Sequence, residues 1–196
     1  MTTIISTQAP AEMFKELVED AVDHQRVGAS EDSTAYLVYL LDSFVRHDAR
    51  FTAAGASPDQ PLAEILLAAS QDRSPRSLTS LRFVGDLALF LVGFHADGLR
   101  DALAGPGCYV RLGGSAYAVL ARSRAVAGAA ALFHELAANF VRFADVLSEV
   151  AENCCLTDPS DLLRLYERWQ QTGSSRSAEQ LRARGVLVVP GPEAVH

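Results

Sequence analysis

The sequence predicts an all-α protein, a single-domain bundle of about six to eight helices. Apolar residues recur at spacings of three and four in nearly every segment, which is the period of an amphipathic helix. No two segments show the alternation of apolar and polar residues that would predict a pair of β-strands. The chain has 196 residues and 49% hydrophobic content, enough to form one core without metals or disulfides.

The first three predicted helices lie before residue 71. Pro10 opens a helix that runs to about Val27 and ends at Gly28, with acidic residues concentrated in its N-terminal half. A second helix is predicted over residues 30–51. Its apolar stripe consists of Leu37, Leu40, Leu41, Phe44 and Val45. After a polar loop, Pro61 opens a short helix of about three turns.

The fourth segment is predicted to be a central helix near residues 78–95. From Leu87 to Phe94 no side chain carries a charge or a hydrogen-bonding group, so we expect other helices on every side. Gly93 lies inside this run and predicts a close helix crossing, because glycine is unfavourable in a helix interior unless packing requires it. Residues 109–125 follow as another helix, whose small residues allow a neighbouring backbone to approach: Gly113, Gly114, Ala116 and Ala118.

The strongest periodic signal predicts one long helix near residues 126–154. Its apolar positions form a heptad-like seam that ends at Cys154, and a straight helix of this length would span roughly 42 Å. Periodicity leaves two alternatives open: the seam is either the middle of the core or half of an interface between copies. The candidate interface residues are Phe133, Leu136, Phe140, Phe143, Leu147 and Val150.

Two further helices are predicted before an extended tail. One begins at a Thr157 or Asp158 cap and ends at Gly173, and the next ends at Gly185. We therefore expect one all-α domain over residues 1–185 and an extended tail over 186–196. The apolar part of this tail, residues 186–189, is expected to dock on this chain or on a partner.

Composition and charge argue against several classes of partner. The net charge is −7, and binding a nucleic acid requires a basic surface, so no nucleic-acid partner is expected. The longest apolar run is much shorter than the roughly 20 residues of a membrane span, so no membrane partner is expected. An odd count of three cysteines and an N-terminus without signal-peptide features predict a cytoplasmic protein.

Motifs for metals and cofactors are missing from the sequence. A di-iron site of the ferritin type needs two Glu-x-x-His motifs, and the sequence has only one, Glu193–His196 in the predicted tail. It contains no His-Glu-x-x-His, no Cys-x-x-Cys, no phosphate-binding glycine loop and no Gly-x-Ser-x-Gly turn. We therefore predict no metal and no cofactor. A haem in a globin-like pocket is an alternative that rests only on Phe and His residues near 94–95 and 133–134.

A candidate ligand site lies at the exit of the central helix. His95 and Asp97 could form a polar rim with Tyr109 and Tyr117 of the next helix, around an apolar pocket. The alternative is that His95 and Asp97 only cap the end of the helix.

Two other groups of charged residues are interpreted as structural rather than functional. Arg82 and Asp86 have the spacing of an ion pair along one helix. On the predicted long helix, His134 projects away from the seam, toward a solvated acidic face that contains Asp145, Glu149 and Glu152.

Two functional hypotheses follow. The first is a non-enzymatic, cytoplasmic interaction, scaffold or regulatory protein that associates with itself or with another protein through the seam or the tail. The second is a sensor or enzyme that binds a small molecule beside the helix at residues 81–99. Here His95 and Asp97 would supply acid, base or hydrogen-bonding groups.

Overall fold

The computed structural model describes residues 10–45, 61–72, 74–94, 105–154 and 162–183. Within these ranges the chain is all-α, as predicted, and contains no strand. The described ranges hold nine α-helices and one 3₁₀ helix: α1 Pro10–His24, α2 Glu31–Val45, α3 Leu62–Gln71, α4 Pro75–Gly93, α5 Pro106–Ala121, the 3₁₀ helix Arg124–Ala129, α6 Ala130–Ala138, α7 Phe140–Asn153, α8 Leu162–Thr172 and α9 Ser175–Ala183. The tail at residues 186–196 lies outside the described residues.

Helix α4 is the central helix that the sequence predicts. It contacts α2, α3, α5 and α7, so that residues on several of its sides are buried. Its start at Pro75 is favourable because proline is tolerated in the first turn, where an amide donor would have no partner. Leu81, Val84 and Leu89 are at most 2% exposed, which places α4 in the core.

The prediction of one long helix near 126–154 is wrong. The segment begins as the 3₁₀ helix and is then interrupted at Asn139, whose φ of −109° and ψ of 22° lie outside the α-helical region. Hydrogen bonds continue on both sides, because the Asn139 amide donates to the Glu135 carbonyl and the Phe143 amide donates to the Asn139 carbonyl. The apolar spacing therefore runs through the break, which explains why periodicity could not reveal it.

Of the two alternatives that periodicity left open for the heptad-like seam, the structure shows the first: the seam lies in the core of this chain. All six candidate residues are buried, with at most 4% of their surface exposed, and no area is left for a partner. Helix α6 packs against α5, while α7 packs against α4 and α1. The residues of the seam are Phe133, Leu136, Phe140, Phe143, Leu147 and Val150.

The close helix crossing expected at Gly93 is present. A Cβ atom at this position would lie 2.7 Å from the Leu147 Cβ and 2.9 Å from the Ala144 carbonyl oxygen. Gly113 on α5 has an equivalent role, since its Cβ would lie 2.5 Å from the Phe140 ring. These two glycines allow α4 and α5 to approach α7 more closely than any other residue would.

None of the described helices alone has both the length and the apolar content that a membrane span needs. The bent pair Pro106–Ala121 and Arg124–Ala138, joined at 106°, has both when its two parts are taken together.

We predict that Gly93→Ala destabilises the fold by about 1–3 kcal/mol, because the added methyl group meets backbone atoms of α7 that cannot easily move. Gly114→Ala is the matched control, since nothing lies within 4 Å of its added Cβ. The control should be neutral or should gain up to about 1 kcal/mol from helix propensity. Urea unfolding monitored by circular dichroism measures both. Equal effects of the two substitutions would contradict the close crossing.

Candidate functional site

A carboxylate lies in the centre of the bundle. Asp86 of α4 is buried, and its Oδ1 atom accepts hydrogen bonds from the hydroxyl groups of Tyr36 on α2, at 2.6 Å, and Tyr117 on α5, at 2.8 Å. The three residues therefore link three helices. Tyr117 can pack closely against α4 because the residue directly before Asp86 is a glycine. A Cβ atom added at Gly85 would lie only 2.5 Å from the Tyr117 ring.

Arg82 completes this cluster and lies one turn before Asp86 on α4. Its Nε donates to the Tyr36 hydroxyl at 3.0 Å and lies 3.5 Å from Asp86 Oδ2. The guanidinium carbon is also 5.1 Å from the ring centres of Tyr36 and Tyr39, which is cation–π distance. Arg82 thus connects the buried carboxylate to the surface, where 41% of its own side chain is exposed.

Burial controls the protonation of this cluster. Removal from water raises the pKa of Asp86, although hydrogen bonds from Tyr36 and the charge of Arg82 oppose this rise. Burial also raises the pKa of Tyr36 and of Tyr117 well above the ordinary tyrosine value, and the negative charge on Asp86 adds to the effect. Both hydroxyl groups are therefore protonated donors at neutral pH, which suits a fixed hydrogen-bonded link between helices.

Of the four residues predicted to form a ligand rim, the structure describes two, and one of these two does not lie at the rim of a pocket. Tyr117 is fully buried with its hydroxyl bound to Asp86, so it lines no pocket rim. Tyr109 is half-buried two turns earlier on α5. His95 and Asp97 lie outside the described residues. The predicted Arg82–Asp86 ion pair along α4 is confirmed, with Asp86 buried and Arg82 partly exposed.

A second polar network joins the C-terminal helices to α7. Asp145 of α7 is buried; its Oδ1 atom accepts a hydrogen bond from Ser174 at 2.6 Å and lies 3.5 Å from Arg168 Nη2. Two nitrogens of Arg176 bind the two carboxylate oxygens of Glu152 at 2.9 and 2.6 Å. This bidentate geometry is typical of strong arginine–carboxylate pairs.

The prediction of a solvated acidic face is therefore wrong. The side chains of Asp145 and Glu149 keep only 5% and 12% of their exposure, because residues of α8 and α9 cover them. Glu149 also accepts hydrogen bonds from the end of α1, at 2.6 Å from Gln25 Nε2 and 2.7 Å from His24 Nδ1. His134 does not share this face, because the helix is interrupted between them at Asn139.

An open groove lies between α5 and α6 on another part of the surface. The chain turns by 106° between Pro106–Ala121 and Arg124–Ala138, and a groove with a volume of about 700 Å³ lies along the contact of α5 with α6. Most of the lining side chains are small, and only Arg122 and His134 are long. The lining residues are Gly114, Ser115, Ala118, Ala121, Arg122, Ala130, Ala131, His134, Ala137 and Ala138. We call this feature the α5–α6 groove.

The charge around the α5–α6 groove is opposite to that of the whole chain. Residues 105–144 contain four arginines and one glutamate, whereas the protein carries a net charge of −7. That glutamate, Glu135, accepts a hydrogen bond from the Ser30 amide at 2.8 Å. Arg111 and Arg122 are exposed, and among the described residues no carboxylate lies within ion-pair distance of either. The sequence signal for this surface is that residues 105–144 contain several arginines but no lysine and no aspartate.

Comparison with known proteins adds no assignment. No protein-family model matches the chain, and neither the search of curated proteins nor that of solved structures gives a significant match. Within the described part of the chain, no three His, Cys, Asp or Glu side chains are grouped so as to hold a metal ion.

We predict that Tyr117→Phe lowers the free energy of unfolding by about 1.5–3 kcal/mol, because it removes a buried hydrogen bond to a charged acceptor. Tyr109→Phe, on the same helix, is the matched control, and it should change stability by no more than about 0.5 kcal/mol. Chemical denaturation of the two variants measures the difference. A loss of similar size in both would show that the hydroxyl of Tyr117 does not matter.

The stability contributed by Asp86 should depend on pH. Its folded-state pKa is raised above the ordinary value of 3.8, so the folded state holds the proton more tightly than the unfolded state. Stability relative to Asp86→Asn is then greatest at low pH and falls as pH rises from about 4 through the raised pKa. Unfolding of both proteins between about pH 4 and 8 tests this. A wild-type advantage that grows with pH would contradict the direction of the shift.

Proposed function

We propose that this chain is a non-enzymatic interaction protein whose α5–α6 groove binds the acidic face of a helix. The observation that carries the proposal is a groove of small residues that Arg122 lines and that the exposed Arg111 adjoins on the same face of α5, in a protein with a net charge of −7. A cytoplasmic location belongs to the same proposal and rests on the composition described above.

The small side chains favour a helix as the occupant. Gly114 and Ala118 are one turn apart on α5, and nothing lies within 4 Å of a Cβ added at Gly114. Small residues at such a spacing allow two helix backbones to approach closely, which increases contact between them. Ala131 and Ala138 of α6 line the opposite side of the groove, and their side chains are equally short.

The charges favour an acidic occupant. Arg111 and Arg122 are eleven residues apart, so by helical spacing they lie on the same face of α5 as Gly114 and Ala118. A partner helix that lies along this face would meet positive charge at both ends of the contact. Complementary charge of this kind speeds association and excludes basic partners.

The small-molecule hypothesis has less support. Tyr117 is held by Asp86 in the core, and Tyr109 is not among the residues that line the α5–α6 groove. No observation in the described residues favours an enzyme or a bound haem over a helix-binding surface.

A labelled acidic peptide tests the proposal directly. The probe is a synthetic alanine-based helix with glutamates at i, i+4, i+7 and i+11, and the control peptide carries lysine at the same positions. Fluorescence anisotropy should show binding of the acidic probe only. Arg111→Glu combined with Arg122→Glu should weaken that binding at least about tenfold, since charge complementarity is reversed.

The control variant is Arg182→Glu, one charge reversal of the same kind at an exposed arginine of α9, which packs against α8. It should bind the acidic probe as the wild type does. Equal binding of both peptides, or unchanged binding by the double variant with its circular dichroism spectrum intact, would overturn the proposal.

A further inference from the structure

We infer that the helix bound in the α5–α6 groove is α1 of a second copy of this chain. This inference rests on the function proposed above, because it names the occupant of the same groove. The protein then self-associates through two different surfaces, α1 of one copy and the α5–α6 groove of the other.

Helix α1 has the chemistry that the groove requires. Its buried side chains, such as Phe14 and Val18, face α2 and α7. The opposite side is exposed and carries five carboxylates together with one apolar side chain, Met13, which is 39% exposed. By helical spacing these residues fall within one stripe of about 120°. The acidic residues of the stripe are Glu12, Glu16, Glu19, Asp20 and Asp23.

The charges on the two surfaces have matching spacings. Glu12 and Asp23 are eleven residues apart on α1, as Arg111 and Arg122 are on α5. At about 1.5 Å per residue, each pair spans roughly 16 Å. An antiparallel arrangement places Glu12 beside Arg122 and Asp23 near Arg111, and it also aligns the two helix dipoles favourably.

The contact must form between copies. Within one chain, α1 packs on α2 and α7 while its carboxylates stay exposed, so α1 does not occupy the groove of its own chain. Each copy then offers one α1 and one groove. If the geometry is symmetric the pair closes into a dimer with two such contacts, and if it is not the copies form open chains.

Sedimentation velocity of the full chain tests the inference. Over loading concentrations of about 5–500 μM the wild type should associate at about 50 mM salt, and association should weaken roughly tenfold at about 500 mM salt because exposed charges are screened. Glu12→Arg and Arg122→Glu, each alone, should lower the association constant at least about tenfold. The two together should restore it to within about threefold of the wild type, since the charge pair is re-formed in reverse.

The control is again Arg182→Glu, which should associate as the wild type does. Association that is unchanged in both single variants, or two single losses that the double variant does not recover, would overturn the inference.

The acidic probe peptide separates this inference from the proposed function. If the wild type stays monomeric at every concentration but still binds the probe, α1 of a second copy is not the occupant, and the groove takes an acidic helix of another protein. If the wild type neither associates nor binds the probe, both proposals fail.

Discussion

The arrangement of the bundle depends on one buried carboxyl group. A carboxylate removed from water is unfavourable unless hydrogen-bond donors surround it, and Asp86 obtains them from two other helices and from Arg82 on its own helix. A buried charge of this kind adds little net stability, but it penalises every packing that separates it from its donors. The cluster therefore favours one register among α2, α4 and α5, where apolar side chains alone would tolerate several.

The same requirement explains how the C-terminal helices attach. Helix α7 presents Asp145, Glu149 and Glu152 on the side opposite its apolar face, and each carboxylate has a partner on α1, α8 or α9. Arg168 and Arg176 are thereby held in the fold, although the sequence alone suggested a solvated surface. These two arginines bind carboxylates of the same chain, whereas Arg111, Arg122 and Arg124, on and near α5, remain exposed.

Local patterns predicted the helices well, since those patterns are set by neighbours in sequence. The all-α class, the central apolar helix and the close crossing at Gly93 all followed from composition and spacing. The break at Asn139 did not, because α6 and α7 bury their apolar faces in one core and keep a continuous periodicity. The Asp86 cluster also escaped prediction, since Tyr36 lies 50 residues away and Tyr117 lies 31 residues away. No pattern within one helix shows which distant hydroxyl group will reach a buried carboxylate.

Two adjacent glycines show how the α5–α6 groove differs from the packed interior. Gly113 and Gly114 are each unfavourable in a helix by about 1 kcal/mol relative to alanine. For Gly113 the packing explains the residue, because the Phe140 ring occupies the place of a side chain. For Gly114 no atom of the described residues lies within 4 Å of that place, so no contact with the described part of the chain offsets the unfavourable helix propensity. A glycine of this kind is expected where another backbone approaches from outside, and it lies on the same face of α5 as the exposed Arg111 and Arg122. Shape and charge therefore point to the same surface by independent arguments, one from packing within the chain and one from the distribution of its arginines.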